Sequence, residues 1–420
     1  MTIVHRLSNG MLVLLREVHT APVASCWVWY NVGSRNEGPG TTGISHWVEH
    51  MLFKGTPTLP KGSLDRLIPR NGGVFNAFTS NDFTAYYETL PADRIELALE
   101  IEADRMVNTI FDIDEVESER TVILAEREGA ENEPDFWLNE AVMAAAYQIH
   151  PYRHEVIGWK HDLLSMTRDD LYRHYQRYYR PNNAVLVVVG DIDSEHLLAV
   201  IERLFGTLPM GEPPAPVTAV EPEQQGERRV TIRRPGPAQY VQIAYRAPAC
   251  RDADFVPMLM LDAVLSGAKG MSFGGGAQTN RSARIYRALV ETQIAAFAGS
   301  GFRAMIDPSL FELSATVHEG RTADEVEAAL VAEVDRLRDE LVSEAEMTKV
   351  HKQVRAQLAY SADSVTNQAL MLGMWHLLDR HDRIETLTDE LNAVTAEDVR
   401  RVAQRYLIDR HRTVGHFIPT

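Results

Sequence analysis

The strongest constraint on the fold is a pattern that occurs twice. Thr167-Arg168-Asp169-Asp170-Leu171 leads into Tyr175-Gln176-Arg177-Tyr178, and 228 positions later Thr395-Ala396-Glu397-Asp398-Val399 leads into Ala403-Gln404-Arg405-Tyr406. Each reads as an amphipathic helix with a capping Thr and a carboxylate three residues on, followed by an apolar strand. Near the front of the two halves, Cys26-Trp27-Val28-Trp29-Tyr30 is matched by Val241-Gln242-Ile243-Ala244-Tyr245. The pattern predicts duplication of a mixed α/β unit. The chain has 420 residues, and single hydrophobic cores stop growing at about 250–300 residues, so two cores are expected.

Within the first half, strands are expected at 11–15 and 23–32, and an extended run from 74 to 90. A helix is expected from about 44 to 53, stopped by Lys54, Gly55 and Pro57. Further helices are expected over 93–106 and 114–128, and a buried strand over 184–190. Residues 207–228 read as a linker, because Pro209, Pro213, Pro214 and Pro216 crowd a polar, acidic stretch. The expected domains are therefore 1–206 and 229–420. In the second, a helix over 255–265 parallels the one over 44–53, with Leu259 and Ala263 where His46 and His50 would fall.

Composition narrows the partners. A net charge of -17 disfavours nucleic acid, which needs clustered Lys and Arg. No run of 18 apolar residues occurs, so no membrane span is expected. Cys26 and Cys250 are the two cysteines, too few for a disulfide framework. The first seven residues lack the apolar core and cleavage site of a signal peptide. A reducing, cytoplasmic setting is expected, with the periplasm as the alternative.

The chemistry concentrates in His46-Trp47-Val48-Glu49-His50. Four-residue spacing on a helix puts both imidazoles on one face, about one turn apart, where they can share a zinc ion. Glu49 borders that face and can act as general base on a water activated by the metal. A catalytic zinc needs a third protein ligand and an open position. Glu126 is the candidate third ligand. Glu119, seven residues earlier, shares its face and is placed to orient a ligand or water.

His-x-x-Glu-His inverts the commoner His-Glu-x-x-His zinc motif. Here the sequence resembles the pitrilysin, insulysin and mitochondrial-processing-peptidase family. The likeness rests on residues 43–56, on Gly72-Gly73-Val74-Phe75-Asn76-Ala77-Phe78-Thr79, on His150-Pro151-Tyr152 and Ile157-Gly158, and on Tyr179-Arg180-Pro181-Asn182-Asn183. Glu126 follows His50 at the family's spacing for its third zinc ligand, and Glu119 falls at a further active-site glutamate. The resemblance implies an α+β fold: two duplicated mixed α/β domains, each a largely antiparallel sheet flanked by helices, forming half of a clam-shell. It implies one Zn2+ per chain and hydrolysis of unfolded peptides inside an enclosed chamber. The peptide would add as a strand along Asn76, Ala77, Phe78 and Thr79.

Two departures qualify it. Complete family sites carry an Arg and a Tyr, seven residues apart, in the C-terminal half, where they stabilise the oxyanion. Aligned through Ser282-Ala283-Arg284-Ile285-Tyr286-Arg287, those positions hold Val290 and Phe297, which can donate no side-chain hydrogen bond. The expectation is a heterodimer, completed by a homologous partner that supplies Arg and Tyr. A non-catalytic structural or peptide-binding subunit is the alternative. The second departure is the glycine-rich segment 266–276, which resembles the mobile loop of a non-catalytic processing-peptidase subunit and is expected to be weakly ordered.

Overall fold

Both copies of the repeated helix form as read. In the helix Arg168–Tyr178, Asp170 N donates to the Thr167 hydroxyl while Thr167 N donates to the Asp170 carboxylate. Thr395 and Asp398 make the same reciprocal pair at the start of Ala396–Tyr406. This computed structural model describes residues 1–270 and 280–420, so most of the glycine-rich segment 266–276 lies outside the described residues.

The chain forms two units, and neither is a contiguous half. The first comprises residues 1–128, 154–219 and 362–377; the second comprises 129–153, 220–361 and 378–420. These units do not coincide with the contiguous stretches 1–206 and 229–420. Each unit takes one helix from the other half of the chain. Between Phe205 and Arg228 no helix or strand occurs, in keeping with a linker over 207–228.

The first unit holds β1 (Thr2–Arg6), β2 (Leu12–Glu17), β3 (Val23–Tyr30), β4 (Val74–Thr79), β5 (Thr84–Pro91) and β6 (Ala184–Gly190), in the order β1-β2-β6-β3-β5-β4. Only β2 and β6 run parallel. The extended run 74–90 is thus a hairpin, broken where the Ser80 hydroxyl donates to the Phe83 carbonyl and accepts from Asp82 N and Phe83 N. One face of the sheet carries a buried aromatic group. Trp27 stacks on Trp29 at 5.4 Å and on Tyr87 at 4.2 Å. The helix Val365–Leu378 packs there: a Cβ on its Gly373 would lie 2.1 Å from Trp29 Nε1, so only glycine permits the approach. The opposite face packs on the helices Ile44–Met51, Ile95–Asn108 and Arg168–Tyr178 through Val13, Val28, Trp47, Tyr86, Leu99 and Leu186.

The second unit holds β7 (Arg228–Arg234), β8 (Tyr240–Arg246), β9 (Ala295–Phe302), β10 (Leu310–Val317) and β11 (Arg412–Pro419), in the order β7-β11-β8-β10-β9. Only β7 and β11 run parallel. The borrowed helix Pro134–Ala146 lies on this sheet. A Cβ on Gly415 of β11 would sit 2.4 Å from Val142 Cγ2, so glycine again allows the contact. With β1 set aside, both sheets run first, last, second, fourth, third strand, which is the duplication expressed as topology. Among the described residues no helix is long and apolar enough to cross a membrane. Cys26 and Cys250 are both buried and are not joined in a disulfide.

Candidate metal centre

The helix Ile44–Met51 is fixed at its start by carboxylates. Gly43 adopts φ +86°, and a Cβ there would meet the Ile157 carbonyl at 2.4 Å. Gly43 N and Ser45 N each donate to Glu37 at 2.8 Å, satisfying N–H groups that a helix leaves unpaired. Gly40 N, Thr42 N and the Thr42 hydroxyl donate to Asp162. Ile44, Trp47, Val48 and Met51 are buried in the core, which turns His46 and His50 outward together. The helix Ile113–Glu131 is held alongside by Arg120, whose guanidinium lies 4.7 Å over the Trp47 ring and donates to the carbonyls of Leu163 and Met166.

These supports bring the donors together. His46 Nε2 and His50 Nε2 are 3.2 Å apart, and Glu126 Oε2 lies 3.8 Å and 3.7 Å from them. Donors about 2.0–2.1 Å from a tetrahedral ion stand roughly 3.3 Å from one another, so the triangle matches one zinc with small adjustments. Two imidazoles and a carboxylate, with a fourth position left over, is the donor set of a catalytic zinc. Burial, reinforced by the neighbouring His50, lowers the His46 pKa to about 3, so its ring is neutral near pH 7. Burial also works against charge on His50, but Glu119, Glu126 and Glu49 outweigh it and raise its pKa.

Glu119 and Glu126 reach different atoms of the histidine pair. His50 Nδ1 donates to Glu119 Oε1 at 2.8 Å, which leaves Nε2 as the ring's free lone pair. Lys54 pairs with the other Glu119 oxygen. Burial alone would raise the Glu119 pKa, yet the bonds from His50 and Lys54 hold it below the usual carboxylate value. Lys54 is a site residue that sequence reading took only as a helix stop. Its signal was its place just past the end of the helix, four residues after His50 and within side-chain reach of the same carboxylate. His46 differs: its Nδ1 is buried with no hydrogen-bond partner among the described residues.

Glu49 is 8 % exposed, and burial raises its pKa to about 6. Its Oε2 accepts from the Thr79 hydroxyl at 2.6 Å. The expected peptide-binding strand, Asn76 to Thr79, is β4, which among the described residues is the edge of the first sheet and pairs only with β5. Asn76 is exposed, and Ala77 and Phe78 are partly so. In the second unit, Val290 ends the π-helical turn Tyr286–Val290 and Phe297 lies in β9, while Arg287 and Arg303 are exposed.

Among the described residues one other group could gather around a cation: Asp324, Glu327 and His416 of the second unit. There Arg229 already bonds both oxygens of Glu327, and Asp324 is 92 % exposed. A fixed cation occupies the place an ion would need.

The sequence of the insulinase family, peptidase family M16, matches residues 12–159, and the peptidase M16 inactive domain matches residues 165–354. The chain belongs to this family. Among M16 relatives, the zinc protease PqqE of Helicobacter pylori is 30 % identical over 98 % of this chain and 92 % of its own length. The probable mitochondrial-processing peptidase subunit beta of Arabidopsis thaliana is 29 % identical over 100 % of this chain and 78 % of its own. The crystal structure of a Helicobacter pylori protease superposes with a TM-score of 0.94 at 27 % identity, covering all of both chains. As an M16 chain, this protein carries the family's two-domain, mixed α/β architecture with helices flanking both sheets.

Proposed function

We propose that this chain is the zinc-bearing subunit of a metalloendopeptidase, with His46, His50 and Glu126 holding the metal and Glu49 carrying the proton. The observation that carries this is the triangle of His46 Nε2, His50 Nε2 and Glu126 Oε2 with Glu49 one residue from His50. What zinc supplies there is Lewis acidity, which lowers the pKa of water toward neutrality and polarises a carbonyl. Glu49 takes the proton of the attacking water and returns it to the leaving amine. Its buried position suits both tasks, because it brings the carboxyl closer to working pH. Glu119, braced by Lys54, fixes the His50 tautomer. The open side of β4 offers main-chain hydrogen bonds to an extended peptide of any sequence, which favours unfolded substrates.

Val290 and Phe297 support a two-chain enzyme, because neither can donate to an oxyanion. A homologous partner chain would bring those donors and close the chamber. The same two residues favour a second reading, a peptide-binding or structural subunit without turnover. The test is to load the purified chain with zinc and follow cleavage of an unstructured fluorogenic peptide, alone and with any co-purifying homologue. Turnover that needs zinc and Glu49 supports the enzyme. Zinc binding without turnover in either preparation supports the second reading. Full activity of the chain alone would sink the requirement for a partner.

A further inference from the structure

Strand alternation sends Phe75, Ala77 and Thr79 of β4 to one face of the sheet, and Phe75 and Ala77 pack into the core beside the His46 helix. Thr79 is the last of that row, and its hydroxyl reaches Glu49 Oε2 at 2.6 Å. Directly across the hairpin stands Thr84, fully buried, with its hydroxyl 3.2 Å from that of Thr79. Thr84 gives its own proton to the Val32 carbonyl at 2.9 Å. Thr79 has one proton to donate. The carboxylate is the nearer and stronger acceptor, so that proton belongs to Glu49. Glu49 Oε1 has no hydrogen bond from the described residues.

We propose that Thr79 is a positioning residue for Glu49, a proposal that rests on the reading of Glu49 as the proton carrier. Its hydroxyl holds Oε2 and so aims Oε1 outward as the oxygen that receives and releases the proton. A proton on Oε1 leaves Oε2 carbonyl-like and still an acceptor. The Thr79 bond therefore persists in both protonation states, and nothing has to reorganise between the two proton transfers. Thr84 does not draw the hydroxyl away, because its oxygen is farther off and the poorer acceptor, and its own proton is committed to Val32.

A hydroxyl–carboxylate bond can also be no more than a strand-to-helix tie, so the test must move something a tie would not. Thr79→Val keeps shape and β-branching and loses the donor; Thr79→Ser keeps the donor. In the zinc-loaded chain, assayed with any partner that co-purifies, Thr79→Val is expected to lower kcat about 10- to 100-fold with KM within about twofold, and Thr79→Ser to stay within about threefold of the parent. Zinc content and unfolding temperature should match the parent in both. Crystal structures of the two zinc-loaded variants give a readout independent of turnover: the Glu49 carboxylate should leave its position in Thr79→Val and keep it in Thr79→Ser. An unmoved Glu49 in Thr79→Val overturns the proposal, as does an unchanged kcat in that variant or an equal loss in both. Glu49→Gln separates the two failures. If it remains active, the proton-carrier reading falls; if it is inactive while Thr79→Val is normal, only the role of Thr79 falls.

Discussion

The helix Ile44–Met51 of the first unit and Phe255–Ser266 of the second occupy corresponding places in two sheets of one topology. With Leu259 and Ala263 opposite His46 and His50, Asp262 falls opposite Glu49. Both carboxylates are bonded to a hydroxyl on the strand that ends their own sheet's order: Glu49 by Thr79 of β4 at 2.6 Å, Asp262 by Ser300 of β9 at 2.5 Å. What surrounds them differs. Asp262 has both oxygens on the Lys269 ammonium, at 2.8 and 2.6 Å, with aliphatic residues where imidazoles would be. Glu49 has one oxygen held and two imidazoles beside it. The helix-to-strand bond therefore belongs to the repeated unit, and the two copies differ in what stands beside the carboxylate. A carboxylate neutralised by a fixed ammonium has no call on a metal or a water.

The harshest way to break this contrast is to make the first unit resemble the second. His50→Ala should abolish zinc binding, measured by metal analysis after dialysis, and with it all peptide hydrolysis. A protein that still holds stoichiometric zinc would mean that the metal sits elsewhere. Glu49→Gln is narrower. It should retain zinc and lower kcat by about 10²–10⁴-fold, the usual worth of a general base. Retained turnover would remove Glu49 from the mechanism.

A smaller effect is expected one layer out. Glu119→Gln weakens the acceptor on His50 Nδ1 and leaves Lys54 without its counter-charge. Zinc affinity should fall about 10- to 100-fold in competition with a chelator, the usual cost of losing such a partner. Lys54→Met should fall at the low end of that range, because Glu119 keeps its bond to His50. Equal affinity in both variants and the parent would show that His50 needs no brace, as His46 Nδ1 has none among the described residues.

Local rules made much of this visible in the sequence. His46, Glu49, His50, Glu119 and Glu126 lie on two helices, where spacings of four and seven residues decide which side chains share a face. The capping boxes at Thr167 and Thr395 are readable for the same reason. The exchanged helices were not, because connectivity along the chain gives no hint that residues 134–146 serve the second sheet. Their composition held a clue. Val365–Leu378 is apolar beyond its first turn except for His376, and Pro134–Ala146 is apolar except for Asp135, Asn139 and Glu140, more apolar than a helix exposed along one face needs to be. The hydroxyl on Glu49 was also hidden: Thr79 is 30 residues away, and its aim depends on where the hairpin turns within a run that read as continuous. Thr79 was expected to serve through its backbone, and its side chain turned out to be engaged with Glu49.

The mildest prediction concerns the second unit, and it tests whether the likeness is structural alone. Asp262 is 5 % exposed and receives Lys269, whose side chain is 21 % exposed, together with Ser300. Asp262→Asn keeps the shape and the acceptor for Ser300 but leaves the ammonium without its counter-ion. A partly buried donor that loses its partner costs about 1–3 kcal/mol. Lys269 also donates to the Ser300 carbonyl, which places the loss toward the lower end. Denaturant unfolding of the zinc-loaded chain should therefore show a lower midpoint, while zinc stoichiometry, zinc affinity and kcat stay at parental values. Glu49→Gln should do the reverse, with little change in midpoint and nearly complete loss of turnover. If Asp262→Asn instead lowers kcat, the second carboxylate takes part in function, and its likeness to Glu49 is more than a shared frame.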